Sequence, residues 1–171
     1  MDLLFVIDAP ESLKAYKDTS VAMMRAAQKR GHAVWVCEQE SLHWKQGRVS
    51  AAAQRISLTD NDEDWYRPHE GAARPLAQFG ATLMRKDPPV DVNYLHATWI
   101  LDHARGKTLL VNDPRGLREL NEHLAVLQFP APTPPTVVTR SADRLREFQG
   151  RCGGAMVVKP VDGYGGLGIF V

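Results

Sequence analysis

Short apolar runs alternate with segments of helical periodicity in the first part of the chain. Leu3–Ile7 is a nearly continuous apolar run, which is typical of a strand covered on both faces. Asp18 and the two residues after it offer N-cap side chains, Val21–Arg30 repeats apolar residues at helical spacing, and Gly31 can end that helix. His32–Cys37 follows as a second strand. This β–α–β order predicts an α/β fold with a parallel sheet in a Rossmann-like layer.

The pattern is less regular between residues 49 and 111. Further strands are predicted at Val49–Leu58, Thr82–Met84 and Thr108–Val111. The stretch Thr59–Ala81 is polar and weakly patterned, which predicts a long excursion without regular structure. Asp91 can cap a helix that runs to about Ala104. The apolar side chains expected on one face of this helix are Val92, Leu95 and Trp99.

After residue 112, the positions of leucines and prolines predict where helices form and where they cannot. Asp113-Pro114 is a good N-cap and first-turn pair for a helix. The apolar stripe expected after it consists of Leu117, Leu120, Leu124 and Leu127. The proline cluster at residues 130–135 excludes helix and marks a linker, which places a domain boundary within several residues of it. Ser141 is predicted to cap a short helix ending near Gly150, and Ala155–Lys159 is predicted to be a strand.

Composition and charge exclude several classes of partner. A net charge of +1 over 171 residues, with scattered basic residues, favours neither nucleic acid nor a membrane surface as a partner. The first eight residues lack the basic start of a signal peptide and are interpreted as a strand. Cys37 and Cys152 do not have the spacing of metal ligands, so we expect two reduced thiols in a cytoplasmic protein.

A glycine-rich loop follows the last predicted strand. Lys159 leads into a segment with glycine at positions 163, 165, 166 and 168. Glycines let backbone N–H groups approach phosphates, and a lysine beside them adds positive charge. The segment lacks the Gly-Lys-Ser/Thr ending of a P-loop and does not occupy a first βα turn. Two interpretations remain open: a phosphate site, or a glycine-rich hairpin between two strands.

The position of Lys159 favours the phosphate site. The lysine ends an apolar strand, where burying an unpaired ammonium would be costly. An anionic ligand would remove that cost.

A second candidate site follows the strand Thr82–Met84. Arg85, Lys86 and Asp87 precede two prolines at the carboxyl end of this strand, where ligands collect in open α/β sheets. Two cations and a carboxylate could hold a zwitterionic or carboxylate-bearing substrate. The alternative is a solvated turn with local ion pairs. Residues 8–10 and 17–20 are expected at the same edge, although helix capping by itself explains Asp18 and Ser20.

Metal binding has little support in the sequence. The six histidines show no pairing at helical ligand spacing, and the acidic bend at residues 60–64 lacks the glycine and the final glutamate of a calcium loop. We therefore predict no metal site in this chain.

Four segments together resemble the N-terminal part of bacterial glutathione synthetases, which are ATP-grasp ligases. The resemblance runs along nearly the whole chain. It is carried by Lys17–Met24, Met84–Asp91, Asn112–Glu122 and Lys159–Gly166. The Met-Arg-Lys-Asp-Pro-Pro segment is quite specific to that family, whereas Lys-Pro-x-Asp-Gly-x-Gly-Gly is shared more widely among ATP-grasp ligases.

The resemblance implies an enzyme that uses ATP and Mg²⁺ to join γ-glutamylcysteine to glycine through an acyl phosphate. Residues 1–120 would form a Rossmann-like pre-ATP-grasp domain, and residues 121–171 the incomplete start of an ATP-grasp domain. The implied ATP-binding residues are Lys159, Gly163, Gly165, Gly166, Gly168 and His123. The implied substrate-binding residues are Arg85, Lys86, Asp87, Asp18 and Ser20. The full-length protein would be a homo-oligomer.

Two departures from the family pattern matter. His123 replaces a lysine of the family pattern Asn-Glu-Lys-Leu, and histidine is shorter and largely neutral at pH 7. The Mg²⁺ ligands of the family are expected beyond Val171, so we expect an expressed fragment or a truncated product that is inactive by itself. Two alternatives remain: another ATP-grasp carboxylate–amine ligase, or a freestanding module for ligand binding or oligomerisation.

Overall fold

A computed structural model describes residues 1–163 and 165–171 of the chain, which divide into two compact units, Met1–Arg118 and Glu119–Val171. Within the described residues, the first unit holds a seven-stranded sheet. Its strands are β1 (Asp2–Val6), β2 (Ala33–Cys37), β3 (Leu42–Lys45), β4 (Arg48–Leu58), β5 (Tyr66–Pro75), β6 (Ala81–Met84) and β7 (Leu109–Val111). The α-helices among the described residues are α1 (Thr19–Lys29), α2 (Val92–Asp102), α3 (Pro114–Glu119) and α4 (Ala142–Arg151).

Strand β1 lies at the centre of a parallel arrangement. It pairs in parallel with β2 on one side and with β6 on the other, and β6 pairs in parallel with β7. Leu4, Phe5 and Val6 are completely buried, as expected for a strand that is covered on both faces. The predicted parallel, Rossmann-like layer is confirmed.

Helices cover the two faces of the sheet. On one face, Phe5 packs in a cluster with Val21 and Met24 of α1. On the other face, Leu4 packs in a cluster with Ala97 and Leu101 of α2. Alternate residues of β1 therefore anchor opposite layers, because successive side chains of a strand point to opposite faces.

Helix α1 forms where the sequence predicts it, with the predicted cap and C-terminal glycine, but it runs from Thr19 to Lys29 rather than from Val21 to Arg30. The carboxylate of Asp18 accepts hydrogen bonds from the backbone N–H groups of Ser20 and Val21, at 2.7 and 3.0 Å. Gly31 follows the helix with a φ of +78°, a conformation that is open to glycine and strained for most other residues.

The excursion predicted at Thr59–Ala81 is wrong, because this stretch contains β5. Strand β5 pairs antiparallel with β4 along most of its length, with a register shift between Gln54 and Ile56. Most of its side chains are exposed, so it shows no apolar alternation. Its Pro68 and Pro75 are tolerated because β5 is an edge strand, where not every backbone N–H needs a partner.

The face predicted for α2 is also wrong. Val92 and Trp99 are 62% and 51% exposed, and the buried side chains are instead Tyr94, Ala97, Thr98 and Leu101. Apolar residues lie on all sides of this helix, so periodicity could not choose the buried face. The cap itself is confirmed, since Asp91 accepts a hydrogen bond from the backbone N–H of Tyr94 at 2.8 Å.

The leucine stripe does not form one helix. Helix α3 ends at Glu119, and Leu120 and Leu127 are exposed. The side-chain oxygen of Asn121 accepts hydrogen bonds from the backbone N–H groups of His123 and Leu124, at 2.9 and 3.0 Å. This local turn competes with helix continuation.

Later predictions in the second unit have mixed outcomes. Helix α4 begins after Ser141 as expected, with a hydrogen bond from the backbone N–H of Arg144 to Ser141 Oγ at 3.4 Å. The strand predicted at Ala155–Lys159 is wrong: its only bridge among the described residues joins Val158 to Phe170. One bridge without a neighbouring strand is too little pairing for a ladder.

An ion-pair cluster joins α2 to α3. The Asp102 carboxylate accepts hydrogen bonds from Arg105, Arg115 and Arg118 at 3.0 to 3.1 Å. Burial would raise the pKa of Asp102, but the hydrogen bonds from Arg118, Arg115 and Arg105 outweigh it and lower the pKa from 3.8 to about 2. This carboxylate therefore stabilises the folded state in its charged form.

We predict an acid-dependent loss of stability at Asp102. Because the pKa of Asp102 is lower in the folded state than in the unfolded state, its carboxylate stabilises the fold fully above about pH 4. This stabilisation is lost as the pH falls through about 2. Asp102→Asn should therefore lower the free energy of unfolding by on the order of 1 kcal/mol at pH 5, allowing for partial solvent screening. The difference from the natural chain should shrink toward pH 2, as measured by urea denaturation. Asp143→Asn, at an ion pair whose carboxylate is 91% exposed, is the control and should have little effect at either pH.

Candidate functional site

The first candidate site lies at the carboxyl ends of β1 and β6. Because these strands are parallel and adjacent, the residues that follow Val6 and Met84 come to one edge of the sheet. Helix α1 begins at the same place, since Thr19 and Ser20 both contact Arg85. The structure thus brings together the predicted residues Ser20, Arg85, Lys86 and Asp87, which are up to 67 positions apart in the chain.

Arg85 is held by hydroxyl groups. Its Nε donates to Ser20 Oγ at 3.1 Å, and its Nη2 donates to Thr19 Oγ1 at 2.7 Å. The residue is half-buried, and no carboxylate of the described residues forms an ion pair with it. These partners orient the side chain without neutralising its positive charge.

Lys86 has a different environment. Its Nζ lies 2.8 Å from Asp8 Oδ1, and its side chain is only 15% exposed. The other carboxylate oxygen of Asp8 accepts a hydrogen bond from the backbone N–H of Asp87 at 3.1 Å. Asp8 therefore neutralises one cation of the predicted pair and fixes the backbone beside it. Asp87 itself is exposed.

Sequence reasoning placed Asp8 at this edge but assigned it no contact. The residue is 79 positions from Asp87, and no local pattern links them. A second long-range contact was missed: Tyr66 Oη donates to Glu11 Oε1 at 2.6 Å. This hydrogen bond raises the pKa of Tyr66 to about 12 and connects the start of β5 to the loop after β1.

The carboxylate of Asp18 caps helix α1. Both of its hydrogen bonds go to the first turn of α1, so capping explains its position, as the sequence indicated. Substrate contact by Asp18 stays a prediction.

The second candidate site lies within the unit Glu119–Val171. The backbone N–H of Val158 donates to the Phe170 carbonyl at 2.8 Å, and the N–H of Phe170 donates back to the Val158 carbonyl at 3.0 Å. This reciprocal pair closes the glycine-rich loop into a hairpin-like turn. Tyr164, at the middle of the loop motif, lies outside the described residues.

Glycines in the loop have specific structural reasons. Gly166 has a φ of +81°, and Gly165 and Gly168 are also in the left-handed region. At Gly168, an added Cβ would come within 2.9 Å of Pro160 Cγ. The hairpin interpretation therefore accounts for these glycines without a ligand, and phosphate binding remains a prediction.

His123 contacts the loop directly. Its Nε2 lies 3.0 Å from the carbonyl oxygen of Gly163, and its side chain is largely buried. Two residues predicted to share a nucleotide site, His123 and Gly163, are thus in contact, although they are 40 positions apart.

The argument from burial at Lys159 is wrong. Lys159 is exposed, because the segment before it is not a covered strand, so its ammonium carries no desolvation cost that a ligand would need to remove. Lys159 nevertheless lines a cavity of about 200 Å³ together with His123. Apolar walls of this cavity come from Leu145, Phe148, Met156 and Val158.

The described residues contain no cluster of metal ligands. In residues 1–163 and 165–171, no group of three or more His, Cys, Asp and Glu side chains could hold a metal ion. Both cysteines are free, and burial raises the pKa of the Cys37 thiol to about 12, so it stays protonated. The helices of the described residues include none with the length and apolar character of a membrane span.

The sheet, with helices on both faces and polar groups at its carboxyl edge, defines a pre-ATP-grasp domain of Rossmann-like architecture. The family model "Prokaryotic glutathione synthetase, N-terminal domain" matches residues 1–118, and "Prokaryotic glutathione synthetase, ATP-grasp domain" matches residues 122–171. The chain belongs to the prokaryotic glutathione synthetase family.

Curated relatives agree with this assignment. The chain is 44% identical over 171 residues to the glutathione synthetase of Ralstonia nicotianae, covering 99% of the chain and 52% of the relative. It is 43% identical to the glutathione synthetase of Nitrosomonas europaea, and the match covers 99% of the chain and 54% of the relative. It is 40% identical to the glutathione synthetase of Vibrio parahaemolyticus, and that match covers 96% of the chain and 52% of the relative. The chain spans about half the length of these relatives.

We predict that Asp8 fixes the backbone at Asp87. Asp8→Ala removes the acceptor for the Asp87 N–H, so the hydrogen–deuterium exchange rate of this amide should rise at least about tenfold. Asp60→Ala removes a carboxylate that is 81% exposed and serves as the control. Unchanged protection of the Asp87 amide in Asp8→Ala would show that the carboxylate does not hold the segment.

Proposed function

We propose that this chain is part of an ATP-dependent ligase that joins γ-glutamylcysteine to glycine. The observation that carries the proposal is the continuous match to glutathione synthetases over nearly all of the chain, in both family models. On this proposal, residues 1–120 form the pre-ATP-grasp domain and residues 121–171 begin the ATP-grasp domain. The protein acts in the cytoplasm, its full-length form is a homo-oligomer, and neither nucleic acid nor a membrane is a partner.

Arg85 is the proposed contact for a substrate carboxylate. Its charge has only hydroxyl partners among the described residues, whereas Lys86 is already paired with Asp8. A guanidinium can bind a carboxylate with two parallel hydrogen bonds. Ser20 would position Arg85 rather than bind the substrate, since it is buried and its oxygen faces the guanidinium.

The second unit offers groups that suit ATP. The cavity of about 200 Å³ has apolar walls that could contact a purine ring, and Lys159 at its lining could contact a phosphate. Backbone N–H groups at Gly163, Gly165, Gly166 and Gly168 would surround the transferred phosphate, a role that fits catalysis by positioning and charge stabilisation. His123 would support the loop through Gly163.

The proposed reaction has two steps. A carboxylate oxygen of γ-glutamylcysteine attacks the γ-phosphorus of ATP, and ADP leaves. The glycine amine then attacks the acyl carbon, phosphate leaves, and the amine loses a proton. Mg²⁺ is part of the proposal, but we assign none of the described residues to it.

The natural gene's product should release phosphate from ATP in sustained turnover only when γ-glutamylcysteine and glycine are both present. The measurement is a coupled phosphate assay with each substrate added singly and together. Release with a different acceptor would instead identify another carboxylate–amine ligase, and no release with any pair would favour a binding module.

Arg85→Gln tests the substrate contact in the same protein. Loss of a charge-assisted hydrogen bond should raise the KM for γ-glutamylcysteine by about tenfold or more and leave the KM for ATP nearly unchanged. Arg55→Gln, an exposed change on β4, is the control. An equal change in the two KM values would contradict a specific role in substrate binding.

A further inference from the structure

A cavity of about 360 Å³ lies in the first unit, away from the candidate site. Its lining comes from the start of β4, the end of β5 with the turn after it, and the segment after α2. Gln78 lies three residues before β6, and Lys107 lies two residues before β7. The cavity is therefore at the amino ends of the parallel strands, whereas Arg85 lies at their carboxyl ends.

The inner surface of the cavity is apolar. Val49 and Ala104 line it and are only 4% and 1% exposed, so they form a buried floor. Pro75 and Ala77 add apolar atoms on the side that comes from β5 and its following turn. A concave apolar surface of this size can cover the body of a small organic molecule.

Positive charge gathers at the same place. Arg48 and Lys107 line the cavity, and Lys45 lies directly opposite Arg48 in the pairing of β3 with β4. Like charges on facing strand positions repel each other. Lys107 Nζ donates to the carbonyl oxygen of Gly47 at 3.0 Å, which holds this cation beside the turn but leaves its charge uncompensated.

All three cations are exposed, and none of them has an ion-pair partner among the residues that the structure describes. Arg74 of β5, by contrast, is paired with the carboxylate of Asp2 at 2.7 Å. The cavity thus combines an apolar floor with unneutralised positive charge, and an occupant that suits both needs an anionic head and an apolar body.

We infer that this cavity is a second binding site, specific for small amphipathic monocarboxylates. The carboxylate would lie between Arg48 and Lys107, and a short aliphatic body would lie against Val49 and Ala104. An ammonium ligand would be repelled by the cations. An anion without an apolar body would leave the apolar floor exposed to water.

Three matched probes test this inference by NMR on the ¹⁵N-labelled chain. Hexanoate should shift the amide signals of Gly47, Val49, Ala77 and Lys107 in a saturable way, with a Kd on the order of 1 mM for so small a ligand. Hexylammonium keeps the body and reverses the charge, and acetate keeps the charge and lacks the body. Each of these two should bind at least about tenfold more weakly.

Variants separate the two parts of the site. Arg48→Gln with Lys107→Gln should weaken hexanoate at least about tenfold by removing the positive charge, and Ala77→Phe should do so by filling the cavity. Lys14→Gln with Arg140→Gln removes two exposed cations elsewhere and should leave the affinity unchanged. Signals far from the cavity report whether each variant keeps its fold.

Three results would overturn the inference. The first is the absence of saturable shifts at the cavity with hexanoate. The second is equal binding of hexanoate and hexylammonium, which would leave no role for the cations. The third is unchanged hexanoate affinity in both cavity variants.

Discussion

The parallel pairing of β1 on both of its edges is the constraint on which the rest of the first unit depends. β2 and β6 can run parallel to β1 only if the chain crosses back to the end of the sheet where β1 begins before each of them starts. The connection from β1 to β2 carries α1 on one face, and the connection from β6 to its parallel neighbour β7 carries α2 on the other, where Phe5 and Leu4 anchor them. The same returns bring the residues after Val6 and after Met84 together, so the packing of the core and the geometry of the candidate site have one cause.

Charge at this edge is distributed unequally between two neighbouring residues. Asp8 compensates Lys86 and restrains the backbone at Asp87, while Arg85 receives only hydroxyl oxygens from Thr19 and Ser20. A half-buried guanidinium with neutral partners is oriented without losing its attraction for an anion. Lys86 is therefore neutralised within the fold, whereas Arg85 keeps its positive charge.

The second unit depends more on local turns than on a sheet. The side chain of Asn121 forms a local turn after α3, and a bridge between Val158 and Phe170 closes the glycine-rich loop. His123 reaches Gly163 across this loop. Although histidine replaces the lysine of the family pattern, it makes a contact that a neutral side chain can make.

The sequence by itself determined the features that are encoded locally. Helix caps at Asp18, Asp91 and Ser141, the continuous apolar run of β1 and the motif at Arg85–Asp87 could all be predicted, because each depends on neighbouring residues. Tertiary structure alone decided that β5 is an edge strand, which face of α2 is buried, and that Asp8 pairs with Lys86. The edge strand lacks an apolar pattern, and α2 is apolar on every side. The ion pair joins residues 78 positions apart, and only the parallel sheet brings them into contact.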